Sequence, residues 1–337
     1  MGHAISGAVS QAWPPFVLVA GLLLIGAVVE ADGLFAALGA RLQRIPGGPI
    51  ALLAGVLGLE AIVTAVLNLD TAAVFVTPII LHAARQGRCD ERPFLYGALF
   101  MANGASLLLP GSNLTNLIVL AHEPLSGAEV ARRMALPWLV VVVVTVAFLA
   151  LVFRPRHTAG AATELPPLHL GVGAAATAAA TVLMLALHNA ALPVLGVGLV
   201  AIGLRRLRPR IGIRVLTGLF LLTVALGTLA RRWDGPASLL DHLDAPGTAA
   251  FAAVATVAVN NLPAAALLSA QRPPHPFPLL VGLDLGPSLA FTGSLSAYLW
   301  WRAARAAGAK PSLAHASFLA LALVPLTIAG ALLALKV

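Results

Sequence analysis

Pro110-Gly-Ser-Asn-Leu-Thr-Asn116 sets a helix-breaking pair and four small polar residues inside an otherwise apolar run of the 337-residue chain. Pro110 lacks a backbone donor and Gly111 is free of side-chain restraint, so a helix crossing this point unwinds and frees backbone groups. The half-helix after the break would turn its first N–H groups inward, where they favour oxygen-bearing or anionic ligands. Ser112, Asn113, Thr115 and Asn116 add hydroxyl and amide donors and acceptors. The alternative is a proline kink whose polar groups are satisfied by neighbouring helices. Thr292-Gly-Ser-Leu-Ser296 is the comparable stretch downstream, with Thr292, Gly293 and Ser294 as candidates and fewer amides. Its alternative is close helix packing through small residues.

Two further polar breaks start with asparagine: Asn68-Leu-Asp-Thr-Ala72 and Asn260-Asn-Leu-Pro-Ala264. An aspartate near the centre of a membrane costs about 3 kcal/mol, so Asp70 should face a cavity or pathway, where it suits reversible proton binding. It could equally cap the helix after it. Asn68, Thr71, Asn260 and Asn261 are candidate ligands for a small solute. Asp284 supplies the second half with a carboxylate, or partners a backbone break there. Glu60 lies about two helical turns before Asn68 and shares its side of a helix. Glu30 and Asp32 are the other acids in apolar surroundings. Each is a candidate proton relay or the partner of a buried donor.

Other chemistries have no support. There is no His-Glu-x-x-His helix, phosphate-binding Gly-rich loop or nucleophile-elbow serine. The single cysteine, Cys89, excludes a disulfide framework within one chain. The expectation is therefore a non-enzyme with no metal and no cofactor. His169 and His188 fall near the ends of apolar runs and read as packing or interfacial residues. A net charge of +8 raises nucleic acid as a partner, but the arginines lie in short clusters between apolar runs, without a basic face carrying aromatics.

The elements that must position these residues are membrane helices. Hydrophobic residues make up 59% of the chain and charged ones only 10%, against about 25% in soluble domains. A bilayer-spanning helix takes about 20 mostly apolar residues. Full spans are expected at 14–38, 94–121, 135–153, 168–187, 190–204, 214–231, 277–303 and 312–335, with a tight turn at His188-Asn189. Two half-membrane hairpins are expected at 48–84 and 246–270, with the asparagine breaks at their tips. The hairpin at 48–84 is inferred from arginines on both flanks. With the N-terminus outside the cell, this topology puts 15 of the 21 basic residues on the cytoplasmic side of an inner membrane, in line with the positive-inside bias.

Gly104-Ala-Ser-Leu-Leu-Leu-Pro-Gly-Ser112 resembles Gly286-Pro-Ser-Leu-Ala-Phe-Thr-Gly-Ser294, and each comes after one of the asparagine breaks. Counting spans makes the two halves, 14–153 and 214–335, inverted repeats joined by a helical pair at 165–204 within a single domain over 1–337. The fold class expected is thus an all-α polytopic membrane protein with two inverted repeats, each with a re-entrant hairpin and a broken helix. That is a common plan of secondary transporters, which bind their solute near the midplane between the repeats.

At these residues the chain resembles the ion transporter superfamily, and most of all its arsenite/antimonite efflux permeases. The resemblance rests on Asn68-Leu-Asp-Thr-Ala-Ala-Val-Phe-Val-Thr-Pro78, Ala105 to Asn116, Asn260-Asn-Leu-Pro263, Leu283-Asp-Leu-Gly-Pro-Ser288 and Thr292 to Trp300. It implies a scaffold domain, a moving transport domain and a homodimer. It further implies that Asn68, Asp70, Thr71, Ser112, Asn113, Thr115, Asn116, Asn260, Asn261, Thr292, Gly293 and Ser294 surround the substrate and a coupling ion, H+ or Na+.

Proton-coupled efflux of arsenite or antimonite is the leading expectation, with Asp70 and Asp284 cycling protons. A sodium-coupled carboxylate or anion carrier, or a sodium/proton antiporter, is the alternative within the superfamily. A membrane subunit that only assembles with partners is the alternative from another class.

Overall fold

Every regular element is helical among the residues that the computed structural model describes: 2–42, 47–155, 170–187, 189–209, 213–233 and 235–336. The first set is α1 (Gly2–Ala31), α2 (Leu34–Leu42) and α3 (Gly48–Val66). Past Asn68 the chain continues through a short α4 (Leu69–Thr71), a π-helical stretch (Ala72–Val76) and α5 (Thr77–Gln86). Next comes α6 (Glu91–Gly104), which dissolves into 3₁₀ turns at Ala105–Leu107 and Pro110–Ser112 before α7 (Leu114–Leu120) and α8 (Gly127–Phe153). Then α9 (Val172–Ala186), α10 (Ala191–Arg205), α11 (Ile213–Ala230) and α12 (Gly235–Asp241) lead to the second set. It comprises α13 (Ala245–Val259), α14 (Asn261–Leu268), α15 (Pro276–Leu285), 3₁₀ turns at Gly286–Leu289 and Phe291–Gly293, α16 (Leu295–Ala306) and α17 (Leu313–Ala334).

Most expected spans correspond to helices, with informative differences. Helix α1 starts at Gly2, not at 14, because Pro14 and Pro15 lie inside it without ending it. It stops at Asp32-Gly33, where Gly33 takes φ +71°, so the expected span to 38 is two helices. The runs at 94–121 and 277–303 are broken helices, as expected from the breaks within them. Four described helices are long and apolar enough to cross a bilayer: His3–Ala31, Gly48–Val66, Gly127–Phe153 and Leu313–Ala334. Four shorter apolar helices accompany them. His169, His188, Arg44, Arg156 and Arg210 lie outside the described residues.

By length α3 could cross, and its neighbours show that the chain reverses direction after it. Leu52, near its start, packs on Gly87, just past the end of α5. Leu57 packs on Gly97 in α6, so α3 and α6 run in the same direction and α5 runs back between them in sequence. The second set repeats this. Gly282 lies against the Ala249 carbonyl and Gly286 against the Ala253 backbone, so α13 and α15 are parallel and α14 returns between them. The closing helices of the two sets are antiparallel. Phe153, at the end of α8, is 6.0 Å in ring centroid from His315 at the start of α17. Arg132 and Arg133, near the start of α8, share a cavity wall with Leu335 and Lys336 just past α17.

Helix α1 is the centre of a second group with α9, α10 and α11. Gly21 sits on the Leu195 backbone and Gly198 on the Gly21 carbonyl, the small-residue contact that lets apolar helices approach closely. Phe16 meets Phe220 edge-on at 5.4 Å. Asp32 fastens this group: Oδ2 accepts from the Gly173 backbone N–H at 2.7 Å and Oδ1 pairs with Arg205 at 2.7 Å. Its side chain is 4% exposed while that of Arg205 is 43% exposed. This assigns Asp32 to holding helices together, and Glu30 is exposed. Replacing Asp32 with alanine is expected to cost about 1–2 kcal/mol, discounted for the exposed arginine, and to lower the unfolding midpoint in detergent. An unchanged midpoint would show that the pair contributes nothing.

The outer faces are apolar. Leu151, Val182, Leu204 and Phe318 are each more than half exposed. Rows of such residues on α8, α9, α10 and α17 suit contact with lipid, and the molecule is a multi-pass membrane protein.

Candidate functional site

Both asparagine breaks take backbone conformations that only a special residue tolerates. Asn68 has φ 154° and Asn260 φ 75°. Such conformations cost on the order of 1–3 kcal/mol and persist where the surroundings enforce them. Each asparagine recovers part of this by capping the next helix: Asn68 Oδ1 accepts from the Thr71 N–H at 2.7 Å, and Asn260 Oδ1 from the Leu262 N–H at 3.4 Å. Gly26 on α1 leaves the space that Thr71 fills, since a methyl group there would lie 2.7 Å from Thr71 Cγ2.

The two broken helices match in backbone detail. Leu109 and Ala290 are extended, a 3₁₀ turn comes after each, and Asn113 (φ −149°, ψ 139°) and Ser294 (φ −148°, ψ 156°) are extended again and cap α7 and α16. Gly293 is required by closeness: a side chain would meet the Pro287 backbone at 2.5 Å.

Much of the polar set at the first break holds the unwound chain itself. Asn116 Nδ2 donates to the Ser106 carbonyl at 2.7 Å and the Leu109 carbonyl at 3.3 Å. The Ser112 hydroxyl donates to the same two carbonyls, and the Ser106 hydroxyl to the Asn103 carbonyl at 2.7 Å. These bonds satisfy carbonyls that the missing helical turns would otherwise orphan. Trp138 Nε1 on α8 adds a bond to the Ala105 carbonyl at 3.1 Å.

Across this ring the two halves meet through side chains. Asn113 Nδ2 donates to Asp284 Oδ1 at 2.7 Å. Asn103 Nδ2 donates to Ser288 Oγ at 3.3 Å, and its Oδ1 accepts from Ser296 at 3.0 Å and Ser294 at 3.3 Å. Asp284 is 1% exposed, and its second oxygen, Oδ2, has no hydrogen-bond partner among the described residues. Thr115 Oγ1 and Asn116 Oδ1 are likewise buried and unpaired. The sequence pattern singles out Asn113, Asp284 and Ser294, but it misses Asn103, Ser106, Ser288 and Ser296. Asn103 stands one residue before the repeated Gly104, and Ser106 and Ser288 are inside the repeat. The matched serines of the repeat were the available signal.

A second unpaired group lies along α3. Glu60 and Thr64 lie four apart on the side of α3 that carries Leu57 against Gly97, and Asn68 comes just past the end of that helix. All three are buried, and both Glu60 oxygens, Thr64 Oγ1, Asn68 Nδ2 and nearby Thr71 Oγ1 have no partner among the described residues. Asp70 is half-buried in the first turn of α4, and its carboxylate forms no hydrogen bond or ion pair among those residues. In the second half Asn261 is buried, whereas Thr292 is exposed and its carbonyl accepts from Asn260 Nδ2 at 2.8 Å. Asn260 and Thr292 therefore meet each other at an open edge, apart from the buried Asn113–Asp284 pair. No group of three or more His, Cys, Asp or Glu able to hold a metal ion occurs among the described residues.

Comparison with known proteins agrees with a transporter. Residues 3–281 match the family model described as CitMHS, citrate transporter. In fold the chain is similar to the YdaH transporter of Alcanivorax borkumensis, whose crystal structure is described as revealing an unusual topology. The TM-score is 0.59 at 14% identity, with 98% of this chain and 86% of that chain covered. At that identity the likeness speaks to fold alone.

Proposed function

The chain belongs to the citrate transporter family, and from that premise we propose that it is a secondary active carrier of a small oxygen-rich solute, with a carboxylate such as citrate as cargo. The observation that carries the proposal is the buried pairing of Asn113 with Asp284 across two unwound helices, which leaves Asp284 Oδ2 open. A buried ionised carboxylate with one free oxygen is costly unless a proton or cation sits beside it. H+ or Na+ in that position is the coupling ion, and Glu60 and Asp70 are the other candidate coupling groups. Asn68, Thr71, Ser112, Thr115, Asn116, Asn260, Asn261, Thr292, Gly293 and Ser294 are the remaining candidate contacts for the cargo. Ser112 and Asn116 act mainly by holding open the backbone that the cargo meets.

The antiparallel run of α8 and α17 supports inverted repeats, and in this reading the reversals of direction at Asn68 and Asn260 are the tips of re-entrant hairpins. In this reading α1 and α9–α11 form the scaffold of an inner-membrane homodimer with its N-terminus outside.

Arsenite or antimonite is the second reading, and one observation favours it. The buried polar side chains among the described residues include no Lys or Arg. Undissociated arsenite is a neutral cluster of hydroxyls that Asn, Ser and Thr can hold without a cation.

Purified protein in proteoliposomes decides between them. Citrate is expected to accumulate under an imposed proton or sodium gradient, and arsenite is not. Arsenite movement alone would transfer the assignment to the second reading. Movement of neither, by protein shown to be folded, would remove the carrier function.

A further inference from the structure

A cavity of about 550 Å³ opens beside the first broken helix, and its lining is unlike the centre. Pro110 and Gly111 form part of its wall, so it reaches the same unwound segment that carries Asn113. Around it stand Ser10 from α1, His122 from the turn after α7, Asn189 from the turn before α10, and Arg231 from the end of α11. Its size is that of a small-molecule site.

The charges on this wall do not cancel. Glu123 also lines it, but its two oxygens are taken by Arg272 at 2.9 and 3.0 Å. Arg231 has no acidic partner among the described residues. It gives one N–H to the Gly227 carbonyl at 3.0 Å and one to the Gln11 side-chain oxygen. A guanidinium carries five N–H donors, so three remain. His122 Nδ1 is buried without a partner, and Asn189 uses its side-chain oxygen to accept from the Ala191 N–H at 3.2 Å, leaving its amide donors for the cavity. Burial, and then the charge of Arg231, holds the His122 imidazole below its usual pKa, so the two groups feel each other across the wall. One uncompensated cation among neutral donors, in a half-enclosed cleft, concentrates small anions. The fixed fork of the guanidinium matches a carboxylate.

We propose that this vestibule is a second binding station, where Arg231, assisted by His122 and Asn189, holds a carboxylate of the solute before it passes the Pro110–Gly111 break to the central residues. The proposal deepens the carboxylate reading of the carrier. It divides the labour between a cationic station at the mouth and a centre with no cation, where a proton or metal ion would balance the cargo's charge. A neutral solute would not register the station.

Citrate binding to the purified full-length chain by titration calorimetry, together with citrate uptake kinetics in proteoliposomes, tests this. Arg231→Gln is expected to weaken the Arg231-dependent citrate binding at least tenfold and to raise KM about tenfold with kcat little changed, while Asp284→Asn keeps that binding. Ser10→Asp, which leaves every Arg231 hydrogen bond in place, is expected to do the same, and so guards against a folding defect in Arg231→Gln. Citrate binding that is absent, or equal in wild type, Arg231→Gln and Ser10→Asp, overturns the station. Arg231-dependent citrate binding without citrate transport keeps the station and removes the carboxylate carrier reading instead.

Discussion

Asp284→Asn is expected to lower gradient-driven solute uptake by about 100-fold, while the protein still inserts, folds and elutes as the wild type does. The substitution keeps the shape of the side chain and leaves an oxygen to accept from Asn113 Nδ2. It removes the group that can change charge. A hydrogen bond involving a charged partner contributes about 1.5–3 kcal/mol, and about 2.7 kcal/mol corresponds to a hundredfold in rate. Coupling suffers further, because an amide neither takes up a proton near neutral pH nor attracts a cation by its charge. Counterflow, in which labelled solute exchanges without a gradient, separates the two effects. Loss of gradient-driven uptake with residual exchange assigns Asp284 to the coupling ion, and loss of both assigns it to the cargo. Wild-type uptake would remove it from the mechanism. Asn113→Ala is expected to weaken uptake less, since the carboxylate persists.

The second large effect is on stability. Gly282→Ala is expected to destabilise the protein by about 3 kcal/mol, the upper end for overpacking a close helix contact. A methyl group on Gly282 would lie 2.1 Å from the Ala249 carbonyl oxygen, a backbone atom that cannot swing aside. Gly286→Ala repeats the clash one turn later, at 2.5 Å from the Ala253 Cα. Relief requires α15 to shift away from α13, and Asp284 lies between the two glycines. The variant should therefore unfold at a lower temperature in detergent and also lose uptake beyond what its folded fraction explains. An unchanged melting midpoint would mean that α13 and α15 do not touch in the native protein.

The four breaks were legible because they are local chemistry. Pro110-Gly111 disfavours a continuous helix, and Asn68 and Asn260 tolerate positive φ while each caps the next helix. The repeat around Gly104 and Gly286 was legible for a related reason: the same short pattern folds into the same sequence of extended residue, 3₁₀ turn and cap. Spans were less secure where residue type and context compete. Pro14 and Pro15 look like a boundary, yet α1 runs through them, because packing against α9, α10 and α11 outweighs two lost backbone bonds.

Long-range pairing was not legible. Asp32 looks as much like a relay as Asp284 does, and only the approach of Arg205 and Gly173 makes it a fastening between helices. Asn103 stands beside the repeat around Gly104, but nothing in the sequence shows that it donates to Ser288 and accepts from Ser294 and Ser296 of the other half.

The amino-acid sequence by itself determined that this protein lives among lipids and where its helices unwind, because apolar content and Pro, Gly and Asn act on the backbone within a few residues. Tertiary structure alone decided which polar groups of the two halves face one another, and that Arg231 stands at the mouth of a cleft with no acidic partner among the described residues. Those outcomes depend on helices meeting across more than a hundred residues of chain, and no spacing along the sequence encodes the distance between them.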